Sequence, residues 1–230
     1  MKKRFLNIGL LLTMSLAVVN FTSCNNDEPD RPSETGFIIK GENVIGNTSG
    51  VASAKIVWWD FDEQTNEQTF DVIAEAPFVN NGFTLRVPTS LTDDFLLSVN
   101  LLLSREATVS DRNAMIAIVY GINAFNSSRS HIGDFLLMNI DNDDKSYATV
   151  WFYTDRDISI EGKNNADVEF NLSLKKGWNI SYFARNNVDE TVLWTTQRPA
   201  GVELKWYFDD EFTTNSTEAP LRSINSLFAR

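Results

Sequence analysis

A single cysteine and a single histidine stand in 230 residues, and basic residues are outnumbered, 20 Lys plus Arg against 31 Asp plus Glu. One cysteine excludes an intrachain disulfide and any thiolate metal cage. One histidine excludes every site that needs two imidazoles. The formal net charge of −11 makes polyanions poor partners and argues against nucleic-acid binding. No Gly-x-Ser-x-Gly nucleophile elbow occurs. Helical patterns do not alternate with strand patterns, so a parallel α/β sheet is not expected. Apolar material is plentiful: 16 Phe and 6 Trp within a 43% hydrophobic chain supply a core and exclude global disorder.

Residues 1–23 have the organisation of a secretory signal. Lys2, Lys3 and Arg4 form a positive start, and an apolar stretch runs from Phe5 to Val19. That stretch is too short for a spanning helix and ends in small residues. The only cysteine follows directly, and Phe21-Thr22-Ser23-Cys24 resembles the lipobox of bacterial lipoproteins, with Phe21 where Leu is usual. The resemblance implies cleavage before Cys24 and acylation of its thiol, which anchors the chain to a membrane without a spanning helix. The following Asn25-Asn26-Asp27-Glu28-Pro29-Asp30 resembles the surface-export signal of Bacteroidota lipoproteins, and 24–35 also has the composition of an acidic, flexible tether. Removing three of the 20 basic residues and none of the 31 acidic ones takes the formal charge from −11 to −14.

Beyond residue 36 the pattern is β. In Val168–Leu174, Val168, Phe170, Leu172 and Leu174 share one face and polar residues the other. Phe83, Leu85 and Val87 alternate in the same way, as do Val202, Leu204, Trp206 and Phe208. Lys55–Phe61 and Ala148–Tyr153 are apolar on both faces, as expected of strands covered on both sides. Turn signals separate the runs: Asn80-Asn81-Gly82, Asp141–Asp144, Lys176-Gly177, Asn186-Asn187 and Pro199-Ala200-Gly201. Short strands between regular turns predict an all-β fold of antiparallel β-sandwich architecture. Leu91, Phe95, Val99, Leu102 and Leu103 are spaced as on a helix, yet Phe95–Leu103 also reads as a strand, and the neighbouring strands favour the strand.

Two packed β units are one reading, 36–104 and 105–210, with a polar C-terminal segment at 211–230; one continuous sandwich is the other. Asn81-Gly82-Phe83-Thr84-Leu85-Arg86-Val87-Pro88 resembles a hairpin of transthyretin-like or carboxypeptidase-regulatory-like sandwich modules. Val150–Gly162, Leu174-Lys175-Lys176-Gly177-Trp178-Asn179 and Leu204–Phe208 resemble a β-domain of uncharacterised Bacteroidota surface lipoproteins, a likeness that implies no particular activity.

Asp141, Asp143 and Asp144 form the densest cluster of oxygen donors, either a calcium-type cation site or a solvated hairpin turn. An EF-hand loop counted from Asp141 would need Gly and Glu where Ser146 and Phe152 stand. Asp60, Asp62 and Glu63 follow Trp58-Trp59, a combination that paired-carboxylate glycoside chemistry uses, although spacing along a strand says nothing of separation across a cleft. Ser130 and His131 are adjacent, and adjacent side chains on a strand point apart, so they make a poor nucleophile–base pair; the segment reads as a loop. Trp58 and Trp59 must occupy opposite strand faces, which brings one of them out of the core. With Trp178 beside the Gly177 turn they are candidates for a sugar or peptide platform, packing being the alternative. Trp151 and Trp206 read as core.

These features together lead to an expectation of a lipid-anchored cell-envelope protein, outer-membrane and surface-exposed, that binds, adheres or assembles without catalysis and needs no cofactor. Its partners would be the membrane, through Cys24, and a glycan or protein. A carboxylate-dependent glycan hydrolase and a purely structural component of a surface assembly are the alternatives.

Overall fold

Period-two alternation becomes strand almost wherever it occurs. The computed structural model describes residues 36–62, 67–103, 106–142, 144–164 and 167–210. The leader and tether, 1–35, and the polar segment 211–230 lie outside the described residues. Fifteen strands are described: β1 (Phe37–Gly41), β2 (Val51–Asp62), β3 (Glu67–Pro77), β4 (Phe83–Val87), β5 (Leu97–Ser98), β6 (Ala107–Val109), β7 (Met115–Val119), β8 (Ile122–Asn126), β9 (His131–Asn142), β10 (Lys145–Thr154), β11 (Ile158–Lys163), β12 (Val168–Leu174), β13 (Gly177–Asn186), β14 (Val192–Thr195) and β15 (Lys205–Asp209). The fold is all-β and sandwich-like, with no α-helix among the described residues.

One large sheet runs β3-β2-β8-β9-β10-β13-β14-β12-β11-β6; β15 pairs with β9, β7 with β10 and β5 with β7. β1 and β4 form a separate antiparallel pair. Among the described strands pairing is antiparallel except between β14 and β12, which run parallel, and Ile45 adds an isolated parallel bridge to Tyr207 of β15. The sheet passes across residue 104, because β2 pairs with β8. Ile39, Ile56 and Leu85 also share a buried cluster with Ile122, Phe135, Trp151 and Trp206.

β9 and β10 carry a core on each face. Leu136, Met138, Val150 and Phe152 point to a cluster completed by Phe170, Leu172, Phe183 and Trp194. Phe135, Leu137 and Trp151, on the other phase, meet the β1–β4 pair. At the centre of the first core, Trp194 is fully buried. Its ring centroid lies 5.8 Å from those of Phe152 and Phe170 and 5.9 Å from that of Phe183. Burial along β12 alternates strictly, as its sequence pattern requires.

Local chemistry fixes the turns. Asn80 and Asn81 both take positive φ, 51° and 57°, and Val79 and Gly82 exchange backbone hydrogen bonds of 2.9 and 3.1 Å around them. Asparagine tolerates this left-handed region, so a two-residue hairpin forms where Asn-Asn-Gly predicts one. Gly133 has φ +148°, and any side chain there would run into the Asp209 carbonyl, so its absence lets β15 dock on β9.

The expectation of a strand over Phe95–Leu103 is corrected. Asp93–Phe95 and Val99–Leu101 are 3-10 turns, and only Leu97–Ser98 between them is extended. Ser98 supplies the reason for the second turn, since its hydroxyl accepts from the Asn100 N–H. The turns still bury Val99 and Leu102, so the apolar spacing serves the core without either regular element.

Candidate functional site

The first core consumes one phase of β10, β13, β14 and β12, and the other phase is left to build a surface. Register places Tyr147 opposite Ala184, and Tyr182 opposite both Thr149 and Thr195. Leu193 faces Ala184 on one side and Glu169 on the other, while Asn171 lies beside Thr195. Strand alternation therefore puts these side chains on one face, with Phe170, Phe183 and Trp194 on the reverse. The segment 197–200 follows β14 and also lines this face. The Gln197 N–H donates to the Thr195 hydroxyl at 3.0 Å, and the Ser173 N–H donates to the Thr196 hydroxyl at 3.2 Å, which ties this segment to β14 and β12.

The result is an open groove of about 450 Å³, within the range of small-molecule sites. Tyr182 lies in its floor and is mostly buried, whereas Tyr147 is half-buried. Asn171, Thr195 and Gln197 supply neutral donors and acceptors. Lys145 and Arg198 line it against one carboxylate, Glu169, while Arg185 follows Ala184 and so shares the Phe183 phase of β13. At one end, the β13–β14 turn is held by Asp189, which accepts from the Thr191 hydroxyl at 2.6 Å, the Thr191 N–H at 3.0 Å and Asn186 Nδ2 at 3.0 Å. The Thr191 hydroxyl, then its backbone N–H and more weakly the Lys145 charge, hold the Asp189 carboxyl below the usual carboxylate range. Ring faces beside amides and hydroxyls are what a polyhydroxylated ligand needs. Paired-carboxylate chemistry is not assembled in the groove, since its described lining has only Glu169.

The aromatic residues picked out by sequence lie elsewhere. Trp178 donates from Nε1 to the Pro88 carbonyl at 2.8 Å, stacks on Phe37 with centroids 6.0 Å apart, and meets Tyr153 edge-on. Trp58 packs against the same small cluster as Trp178, around Leu96, Ala117 and Tyr153. Those two are brought together as packing. Trp59 occupies the opposite face of β2, is 36% exposed, and stands edge-on to Phe70 and His131 at 5.2 and 5.5 Å. His131 begins β9 instead of lying in a loop, and its Nε2 is 3.2 Å from Asp134 Oδ1. Asn123 Nδ2 also donates to that oxygen, at 2.7 Å. Buried Lys55 sits above the Phe125 ring and pairs with Glu75 at 3.0 Å, filling the rest of this outer cluster.

Asp144 is exposed in the β9–β10 turn; Asp143 and the Asp141 side chain lie outside the described residues. Among the described residues no group of three or more His, Cys, Asp or Glu is arranged for a metal. Asp60 is exposed, while Glu63 and the Asp62 side chain lie outside the described residues, as does Cys24. No described helix is long and apolar enough to cross a membrane.

Sequence reasoning missed the groove residues Tyr147, Tyr182, Asn171, Thr195 and Arg198. The one available signal was the polar phase of β12, which marks an exposed face without saying what adjoins it. The class that this architecture defines is a sandwich-like all-β protein with a polar, tyrosine-floored groove. No protein family, curated protein or solved structure matches the chain.

Proposed function

We propose that this chain is a lipid-anchored cell-envelope protein, facing outward from the outer membrane, that binds a saccharide chain in the β10-β13-β14-β12 groove and does not transform it. The groove carries the reading: Tyr147, Tyr182, Asn171, Gln197 and Thr195 line one open channel of about 450 Å³. Saccharides present apolar ring faces and many hydroxyls, and such a lining meets both. Anchoring rests on Cys24 at the end of the leader, and the acidic 24–35 segment would hold the β body away from an anionic membrane surface.

A glycan array probed with the mature, acylation-free protein tests the binding. Retained signal on a related set of glycans, with no release of reducing ends on incubation, is the expected result. Silence across neutral and acidic glycans at high protein concentration would defeat it, and steady release of reducing ends would replace binding with hydrolysis. Anchoring is tested separately: Cys24→Ala should move the protein from the membrane fraction, and unchanged retention would refute the anchor.

A further inference from the structure

We infer that the groove's saccharide carries a carboxylate, and that Arg198 is the residue that receives it; this rests on the groove being the binding site. Across the chain acids outnumber bases 31 to 20. Within the groove the balance inverts, with Lys145 and Arg198 against Glu169. These cations are not equivalent. Lys145 lies close enough to Asp189 for its charge to help hold that carboxyl ionised. Arg198 is exposed and forms no ion pair among the described residues. It stands in a lining segment held by the Gln197–Thr195 hydrogen bond before it and by Pro199 after it, which fixes its own φ.

A guanidinium so placed offers a planar fork that matches a carboxylate in two parallel hydrogen bonds and sheds water more readily than an ammonium. Asn171, Gln197 and the tyrosine hydroxyls are left to read neutral hydroxyl groups. Glu169 narrows the choice further. It lies two residues from Asn171, about 7 Å along β12, where it repels a second negative charge. A sugar chain with one acid between neutral rings fits this pattern, whereas a dense polyanion does not.

The test uses the whole mature protein and a panel of oligosaccharides in which uronic acids alternate with neutral sugars, unsulfated chondroitin and hyaluronan tetrasaccharides included. Each is paired with its carboxyl-reduced counterpart and titrated calorimetrically. The acid form of at least one pair should bind about tenfold or more tightly than its reduced form. Arg198→Gln should erase that difference, Glu169→Gln should widen it, and added salt should weaken only the acid form. If every reduced form binds as tightly as its acid, or if Arg198→Gln leaves the preference intact, the acidic-ligand inference is overturned while saccharide binding stands. If neither form of any pair binds and neutral glycans are also silent, both readings fall.

Discussion

The indole N–H of Trp178 donates to the Pro88 carbonyl at 2.8 Å, tying the start of β13 to the chain just beyond β4. A residue whose position beside a glycine turn makes it look like a binding platform is thus a tie between two parts of the fold. Its ring stacks on Phe37 and abuts Tyr153, so both its polar and apolar surfaces have structural partners.

Trp178→Phe keeps most of the ring contact and removes the hydrogen bond. It should cost about 1 kcal/mol in urea unfolding and leave saccharide affinity unchanged. A loss of affinity with no loss of stability would place Trp178 in the binding surface instead.

A second indole is satisfied inside the core. Trp194 Nε1 donates to the Ser181 hydroxyl at 2.8 Å, and that hydroxyl donates to the Val150 carbonyl at 2.9 Å. Ser181→Ala strands a buried N–H and should cost about 1–3 kcal/mol. Trp194→Ala, which empties the middle of the aromatic cluster, should cost about 3–5 kcal/mol. Denaturation midpoints measure both, and a Trp194→Ala protein as stable as Ser181→Ala would contradict the central place given to this ring.

Acid should loosen the region where β7 meets the end of β10. The Asn113 N–H, and after it Arg156, hold the Asp111 carboxyl below its ordinary range. Arg156 first, with the Met115 N–H adding to it, does the same for Asp155. Nη1 and Nη2 of Arg156 reach Asp111 and Asp155 at 3.0 and 2.8 Å. Carboxyls lowered in the folded state bind protons more weakly there than in the unfolded chain. Their stabilisation is complete above the ordinary aspartate value of about 4 and disappears as pH falls through the lowered folded values. Melting temperature should therefore fall below about pH 4, and less steeply in Arg156→Gln, whose carboxyls are less depressed. Parallel acid profiles for the two proteins would refute the role of Arg156.

Thr149 is buried between Tyr182 and the second core, and its hydroxyl has no hydrogen-bond partner among the described residues. Thr149→Val keeps the shape and removes the desolvated oxygen. The change should be neutral or stabilise by about 1 kcal/mol in chemical denaturation; a clear destabilisation would mean that the hydroxyl has a partner.

Much of the fold was legible because alternation is a local property. Val168, Phe170, Leu172 and Leu174 are all buried on β12, and Trp206 lies in the second core, as their patterns require. The 91–103 segment was not legible, because its turns depend on side-chain-to-backbone bonds such as that of Ser98, which apolar spacing does not register. The groove was hidden for a different reason. Tyr147, Asn171, Tyr182 and Thr195 belong to four strands, two of them joined in parallel, and only long-range register sets them side by side. Overall charge misleads in the same way, since an acidic chain can still line one channel with bases.

The groove and the exposed Trp59 face offer competing homes for a ligand, and one comparison separates them. Ala184→Trp fills the groove floor, while Trp59→Ala removes the exposed indole on the far end of the sheet. Binding of the best array glycan should be measured calorimetrically for both, with circular dichroism confirming that each remains folded. Loss of binding in Ala184→Trp and retention in Trp59→Ala is the result the groove predicts; retention in Ala184→Trp with loss in Trp59→Ala would contradict it.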